Sequence, residues 1–411
     1  MTVLRNISQL ATCPAAGPQQ DAGLINNAAL VFENQQFENQ QIVWVGSEQD
    51  LPAQYADEES VDCQQRLVIP GLIDCHTHLC FGGWRGDEFE MRLQGHSYQD
   101  IAASGGGIQS TVAATRADSA EQLKQKALLA LEGMLDLGVT TVECKSGYGL
   151  EQNAELKQLE VYRQLDKEQA IDLVPTFLGA HMIPDEYQQR REEYIRLLCE
   201  VLIPEVSQKK LANFCDVFIE EGAFSIAEAR QILTTAKNAG LGLKVHADQL
   251  SAGGGAQLAA ELAAVSAEHL EYADQAGIEA LAHAGTVAVS LPLASLYLRE
   301  RYVAARQMLD SGVKVAVATD FNPGSAPSYH LPLAMTLACI NQQMTPQEVL
   351  TGVTTIAARA ISAEQRVGSL LPGYRADITI IDSPSVNHWL YHFRANACIG
   401  VLKSGIWVKT L

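Results

Sequence analysis

The sequence predicts an α/β protein, a (β/α)8 barrel of the TIM type with a small sandwich-like β-domain formed by both termini. Three observations lead there. A periodic helix ending in Gly and feeding an apolar strand recurs through the middle of the chain, and Gly138, Gly240, Gly285 and Gly312 stand where a left-handed helix cap is expected. The strands of that middle are continuous Val/Ile/Leu runs, as in sheets buried on both faces. The two ends share a different texture of short strands and polar turns.

Taken in order, residues 1–66 hold the strand-like runs AALVFE (28–33) and QIVWVG (41–46) between Asn-, Gln- and Asp-rich turns. The segments that read as barrel strands are 67–78, 138–149, 171–181, 214–224, 241–249, 265–272, 285–292 and 313–324. Eight such units define a barrel. An open doubly wound sheet is the alternative, but the Gly105–Gly107 run lacks the strand–Gly–helix context of a dinucleotide site. Residues 367–411 return to strand and hairpin character in ADITIID (376–382) and ACIGVLKSGIWV (397–408), with Lys403-Ser404-Gly405 as a turn. The expected division is therefore 1–66 plus 367–411 for the β-domain and 67–366 for the barrel.

The 411 residues carry 29 basic and 48 acidic side chains, a net charge of −19. That balance argues against nucleic acid, whose phosphates need clustered Lys and Arg. No apolar run reaches the ~20 residues that span a bilayer, and the N-terminus lacks the apolar core of a signal peptide. A cytoplasmic protein with no membrane partner is expected. Nine cysteines without a CxxC pair fit neither a disulfide framework nor a zinc–cysteine site. Buried structural thiols are the expectation, Cys75 and Cys80 included.

In a barrel of this type chemistry gathers at the C-terminal strand ends. Of ten histidines, five fall there: His76 and His78 on the first strand, then His181, His246 and His269 on the third, fifth and sixth. Asp320 ends the eighth. His76 and His78, at i and i+2 of one strand, project from the same face. With His246 and Asp320 they complete a four-member N/O set suited to zinc or a similar ion. Alone, an HxH pair reads as two ordinary polar histidines; the matching strand ends favour the metal. His96, His283, His330, His388 and His392 are read as non-catalytic.

Residues 67–83, LVIPGLIDCHTHLCFGG, and the tail VGSLLPGYRADITIID (367–382) resemble the amidohydrolase superfamily. The segments 81–116, ECKSGYGL (143–150), FLGAH (177–181), KVHADQ (244–249) and ATDFNPGS (318–325) resemble, more narrowly, the imidazolonepropionase family within it. The resemblance implies hydrolysis of 4-imidazolone-5-propanoate to N-formimidoyl-L-glutamate in histidine degradation. It implies one zinc or iron ion on His76, His78, His246 and Asp320, and a homodimer. It also implies substrate contacts from Arg85, Tyr148, His181, Gln249, Asn322, Gly324 and Ser325.

The chemistry asks for such groups: a metal-activated water to attack a cyclic amide, an Arg for the propionate, and a donor for the oxyanion, expected of His181. His269 or Asp320 is expected as general base, a role closed to Gln249 because an amide does not accept a proton usefully. Lys145 lies on the second strand and no Lys ends the fourth, so a mononuclear site is expected. Glu220 and Glu221 stay unassigned. Outside the resemblance, Arg85 reads sooner as a surface arginine paired with Asp87 or Glu88, and Tyr148 equally as a turn aromatic and His181 as a barrel histidine. Two rival functions remain open at this point. One is a deaminase of a ring amidine such as guanine or cytosine, which needs an acid where Gln249 stands; the other is a metal-free scaffold.

Overall fold

A computed structural model describes residues 1–33, 40–96 and 105–411. Part of the 81–116 segment, residues 97–104, lies outside them. The chain starts with four strands, β1 (Thr2–Ala11), β2 (Leu24–Phe32), β3 (Ile42–Ser47) and β4 (Glu59–Pro70). Eight more follow: β5 (Leu72–Thr77), β6 (Val139–Lys145), β7 (Asp172–Ala180), β8 (Phe214–Ile219), β9 (Gly242–Ala247), β10 (Ser266–His269), β11 (Val287–Ser290) and β12 (Val315–Val317). The chain ends with β13 (Ile378–Ile381), β14 (Cys398–Lys403) and β15 (Ile406–Lys409).

Strands β5 to β12 pair in chain order and all in parallel. The ring closes between its first and last strands, where the Asp320 amide donates to the His76 carbonyl (3.0 Å) and the His78 amide to the Phe321 carbonyl (2.8 Å). All eight expected barrel strands are present, each shorter than its apolar run. Every one of the four expected cap glycines has positive φ, between 72° and 93°. The helix Ala120–Asp136 starts at a reciprocal Ser119/Gln122 capping box and the helix Ile226–Asn238 at Ser225/Glu228, each satisfying orphan amides.

The seven remaining strands form one sheet in the order β15-β14-β13-β4-β1-β2-β3. Its pairs are antiparallel except β1 with β4, which run parallel. The end segments had read as hairpin material throughout; the β2–β3 hairpin intervenes between β1 and β4 and lets the chain return in the same sense. β4 crosses the expected boundary at residue 66 and passes through Gly71 straight into β5.

Alternation along β4 sends Leu67 and Ile69 into the barrel core, while Val68 joins a second core with Leu4, Ile7, Leu30, Phe32 and Ile380. The sheet is fastened to the starts of β6 and β7, through Lys403 Nζ to the Thr140 carbonyl (2.8 Å) and to Asp172 (3.1 Å). It therefore sits away from the strand ends that carry the histidines. No helix among the described residues is long and apolar enough to cross a membrane.

Candidate active site

The C-terminal strand ends enclose a cavity of about 480 Å³. At its floor the ring nitrogens of the paired histidines meet Asp320. His76 Nε2 lies 3.3 Å and His78 Nε2 3.4 Å from Asp320 Oδ1, and His246 Nε2 lies 3.5 Å from His78 Nε2. Four ligands at ~2.0–2.1 Å from one ion stand about 3.3 Å apart at a tetrahedron's edges, so these separations are those of a single coordination sphere. His76 Nε2 is buried and has no hydrogen-bond partner, which a bound cation remedies. Burial, and then the charge of Lys145, holds His76 and His246 well below the usual histidine range. Both are neutral and present a lone pair, the form a metal takes. For Asp320, burial opposes ionisation, but the hydrogen bond with His78 and the histidines around it outweigh that and keep the carboxyl below its ordinary range. The donor set fits a divalent metal.

Local backbone contributes to this convergence. Asp320 (φ 56°) and His269 (φ 73°) both adopt the left-handed region, an uncommon conformation for residues with a Cβ that gathers at functional sites. At Asp320 the turn is held by the backbone bond to His76 described above. Beneath it, Asp74 accepts from the Thr319 amide (3.1 Å) and hydroxyl (2.5 Å).

His269 stands beside the ligand set, its ring centre 5.3 Å from that of His246. Its Nδ1 faces Glu271 Oε2 at 3.7 Å. Burial lowers its pKa, but Glu271 and Asp320 more than offset this and leave it raised.

The remaining expected residues line the same cavity. Arg85 caps the helix Gly86–Leu93; its Nε donates to Thr111 Oγ1 (2.8 Å). Its two terminal nitrogens have no hydrogen-bond partner among the described residues and lie toward the cavity, so Arg85 is no partner of Asp87 or Glu88. Glu88 instead accepts from the Gly107 amide (2.9 Å) and the Ser110 hydroxyl (3.1 Å). At Gly324 a Cβ would come within 2.5 Å of Arg85 Nη1; only glycine leaves room for the guanidinium.

Tyr148 is buried beside the stacked rings of His78 and His181, ring centres 5.8 and 5.3 Å away, and burial pushes its hydroxyl pKa up. Its loop hangs on Glu155, which accepts from the amides of Gly149 (2.8 Å) and Leu150 (2.9 Å). Gln249 is half-buried at the cavity wall. Its loop is tied by Asp248, which accepts from Gly253 and Ala256 amides (2.9 Å each), and by Glu220, which accepts from the Leu250 amide (2.9 Å). Glu220 thus supports the loop, whereas Glu221 is exposed.

Two side chains of the wall are tied by local hydrogen bonds. Asn322 lines the cavity, and its amide donates to the Asp320 carbonyl (2.6 Å) and Ser325 Oγ (2.8 Å) while its Oδ1 accepts from Gly324 and Ser325 amides (2.8 Å each). These four bonds hold the loop that follows the last barrel strand. His181 Nδ1 sits 3.0 Å from the Gly147 carbonyl, which only accepts. Burial and then His78 hold His181 well below the histidine range. In its neutral form the ring carries its hydrogen on Nδ1 and turns Nε2 to the cavity.

Of the charged side chains under the ligand set, the sequence singles out Lys145 only for its strand and leaves Glu143, Asp216 and Glu268 without a role. Lys145, on β6, lies 2.8 Å from Glu143, 2.9 Å from Asp216 and 3.6 Å from Glu268, all fully buried. The available signal was a charge inside an otherwise apolar strand, as in Asp216 of FCDVFI, because such charges are almost never fully buried unless paired. His96, read as non-catalytic, stands at the cavity rim. At His330, Nδ1 accepts from the Leu333 amide (3.0 Å) at a helix start.

Relatives and solved structures agree with this architecture. Residues 67–408 match the Amidohydrolase family. Imidazolonepropionase of Bacillus velezensis is 45% identical over 98% of this chain and 96% of its own length. That of Fusobacterium nucleatum is also 45% identical, covering 98% of this chain and 97% of its own. Among solved structures, 5-methylcytosine deaminase from Klebsiella pneumoniae superposes with a TM-score of 0.76 over 100% of this chain and 97% of that one, at 16% identity. At that identity the likeness shows the fold alone. The sequence relatives reach further: the chain belongs to the amidohydrolase family, within its imidazolonepropionase branch.

Proposed function

We propose that the chain hydrolyses 4-imidazolone-5-propanoate to N-formimidoyl-L-glutamate, a step of histidine degradation, with one zinc or iron ion on His76, His78, His246 and Asp320. The observation that carries this reading is the meeting of three imidazole nitrogens and one carboxylate oxygen at 3.3–3.5 Å on the floor of the cavity that Arg85 faces. The 45% identity to proteins named imidazolonepropionase supports the substrate.

When bound, the ion supplies a water that ionises near neutral pH and polarises the carbonyl under attack. The other tasks fall to side chains. Arg85 offers two terminal nitrogens to the propionate carboxylate, a planar two-pronged match. His181 accepts a hydrogen bond from a ring N–H through Nε2, and Tyr148, kept protonated by burial, donates one. His269 takes the proton of the attacking water and returns it to the leaving ring nitrogen, with Glu271 behind its Nδ1 steadying the charge. Asp320, held ionised, is the weaker base of the two. Gln249 orients substrate by hydrogen bonds; lacking a proton to give, it leaves a deaminase without its acid.

The test is turnover of imidazolone propionate by purified chain, followed as loss of ring absorbance. Turnover that a chelator abolishes and added zinc or ferrous iron restores is expected. No turnover by metal-replete protein overturns the reading.

A further inference from the structure

Below the ligand set, four charged side chains from β6, β8 and β10 form a buried layer that hydrolysis does not require as reactants. Asp216 Oδ2 lies 2.8 Å from His246 Nδ1 and 2.9 Å from Lys145 Nζ, and Asp216 Oδ1 accepts from the His246 backbone amide at 3.1 Å. Glu268 Oε2 lies 3.6 Å from the same ammonium and 3.8 Å from His76 Nδ1. Glu143 completes the group at 2.8 Å from Lys145. One ammonium thus holds three carboxylates, and two of these face the Nδ1 atoms of proposed metal ligands.

Asp216, His246 and Glu268 also place ligand-type atoms within 4.8 Å of one another. The geometry of that trio alone would suit a second cation. Lys145 Nζ already stands against two of its members and supplies the positive charge there.

We infer that Lys145 is a positioning residue for the metal centre: its ammonium fixes Asp216 so that His246 keeps its hydrogen on Nδ1 and turns Nε2 to the ion. The physical reason is that a carboxylate behind a ligating imidazole sets its tautomer and orientation. Asp216 does this only if its own rotamer is fixed, and in a fully buried layer the paired ammonium fixes it. Lys145 touches no substrate and acts through Asp216. Glu268 extends the same support to His76 at longer range. The inference rests on His246 being a ligand, as proposed above.

The experiment compares full-length wild type, Lys145→Met, Asp216→Asn and the double variant. Apparent zinc affinity is read by competition with a chromogenic chelator, and kcat and KM are read at limiting and at excess zinc. Wild-type protein that binds neither zinc nor ferrous iron overturns the proposed function itself, and where iron is the ion bound the same comparison is made with iron. If wild type binds zinc, each single variant is expected to weaken zinc affinity about 10- to 100-fold, with KM little changed and activity rising again with excess zinc. The double variant is expected to be no worse than the poorer single one, because the residues act in one chain of contacts. Unaltered zinc affinity in folded Lys145→Met, or additive losses in the double variant, overturns the inference.

Since removing a buried charge can prevent folding, a second measurement uses wild type alone. Nitrogen-15 spectra of its histidines without metal are expected to show His246 as the Nδ1–H tautomer. An Nε2–H tautomer overturns the inference whatever the variants do.

Discussion

Arg85 and Gly324 approach so closely that neither is understood without the other. The guanidinium passes where a side chain at position 324 would sit, and its terminal nitrogens have no hydrogen-bond partner among the described residues. Charge-assisted hydrogen bonds of this type contribute about 1.5–3 kcal/mol. Arg85→Ala is therefore expected to lower kcat/KM about 10- to 100-fold, mainly through KM, with little change in melting temperature. Gly324→Ala should act in the same direction by displacing the guanidinium. Steady-state kinetics with a far-UV spectrum as folding control checks both, and an unchanged KM in Arg85→Ala removes that residue from the site. His269→Ala is expected to lose turnover while retaining about one metal per chain by elemental analysis; loss of the metal would make His269 a ligand.

At the level of elements, capping shows how local sequence and tertiary contact combine. Glu228 reaches back to the Ser225 amide at 2.8 Å, and Arg191 from an earlier helix donates to the same carboxylate at 2.8 Å. The hydrogen bond from Arg191 is the main cause that lowers the Glu228 pKa to about 2. A carboxylate depressed in the folded state stabilises fully above its unfolded value of about 4.3. That stabilisation is lost as pH falls from there through about 2. The pair is partly exposed, so about 1 kcal/mol is the appropriate scale. Glu228→Gln should therefore melt earlier than wild type at pH 6, and the gap should close toward pH 2. A gap that persists at pH 2 would show that the carboxylate charge is not its source.

For the molecule as a whole, burial predicts chemical behaviour. All nine cysteines are free, and eight are buried, Cys339 being half-exposed. A thiol reagent should modify at most Cys339 in native protein and all nine after denaturation. Rapid reaction of several thiols in the native state would contradict the packing. Because a metal binds only the assembled strand ends, its removal should also lower the melting temperature, by the linkage of binding to folding.

The barrel strands, the cap glycines and the five histidines at strand ends were legible from the sequence because each follows from a local rule: the period of side chains, the left-handed preference of glycine, the position of polar groups after apolar runs. The parallel pairing of β1 with β4 was not, since it depends on which strand arrives beside which. Nor were the four hydrogen bonds that Asn322 makes within its own loop, or the approach of His181 Nδ1 to the Gly147 carbonyl, because each depends on how the chain is folded around it.

What the chain determines unaided is a set of elements and a set of reactive side chains, because propensity, capping and hydrophobic period act over a few residues. Only the closed barrel decided that His76, His246 and Asp320, far apart in the chain, meet on one cavity floor, and that Lys145 lies beneath them. Ring closure is a long-range event, and in a buried layer a charge takes its meaning from the partners that enclose it.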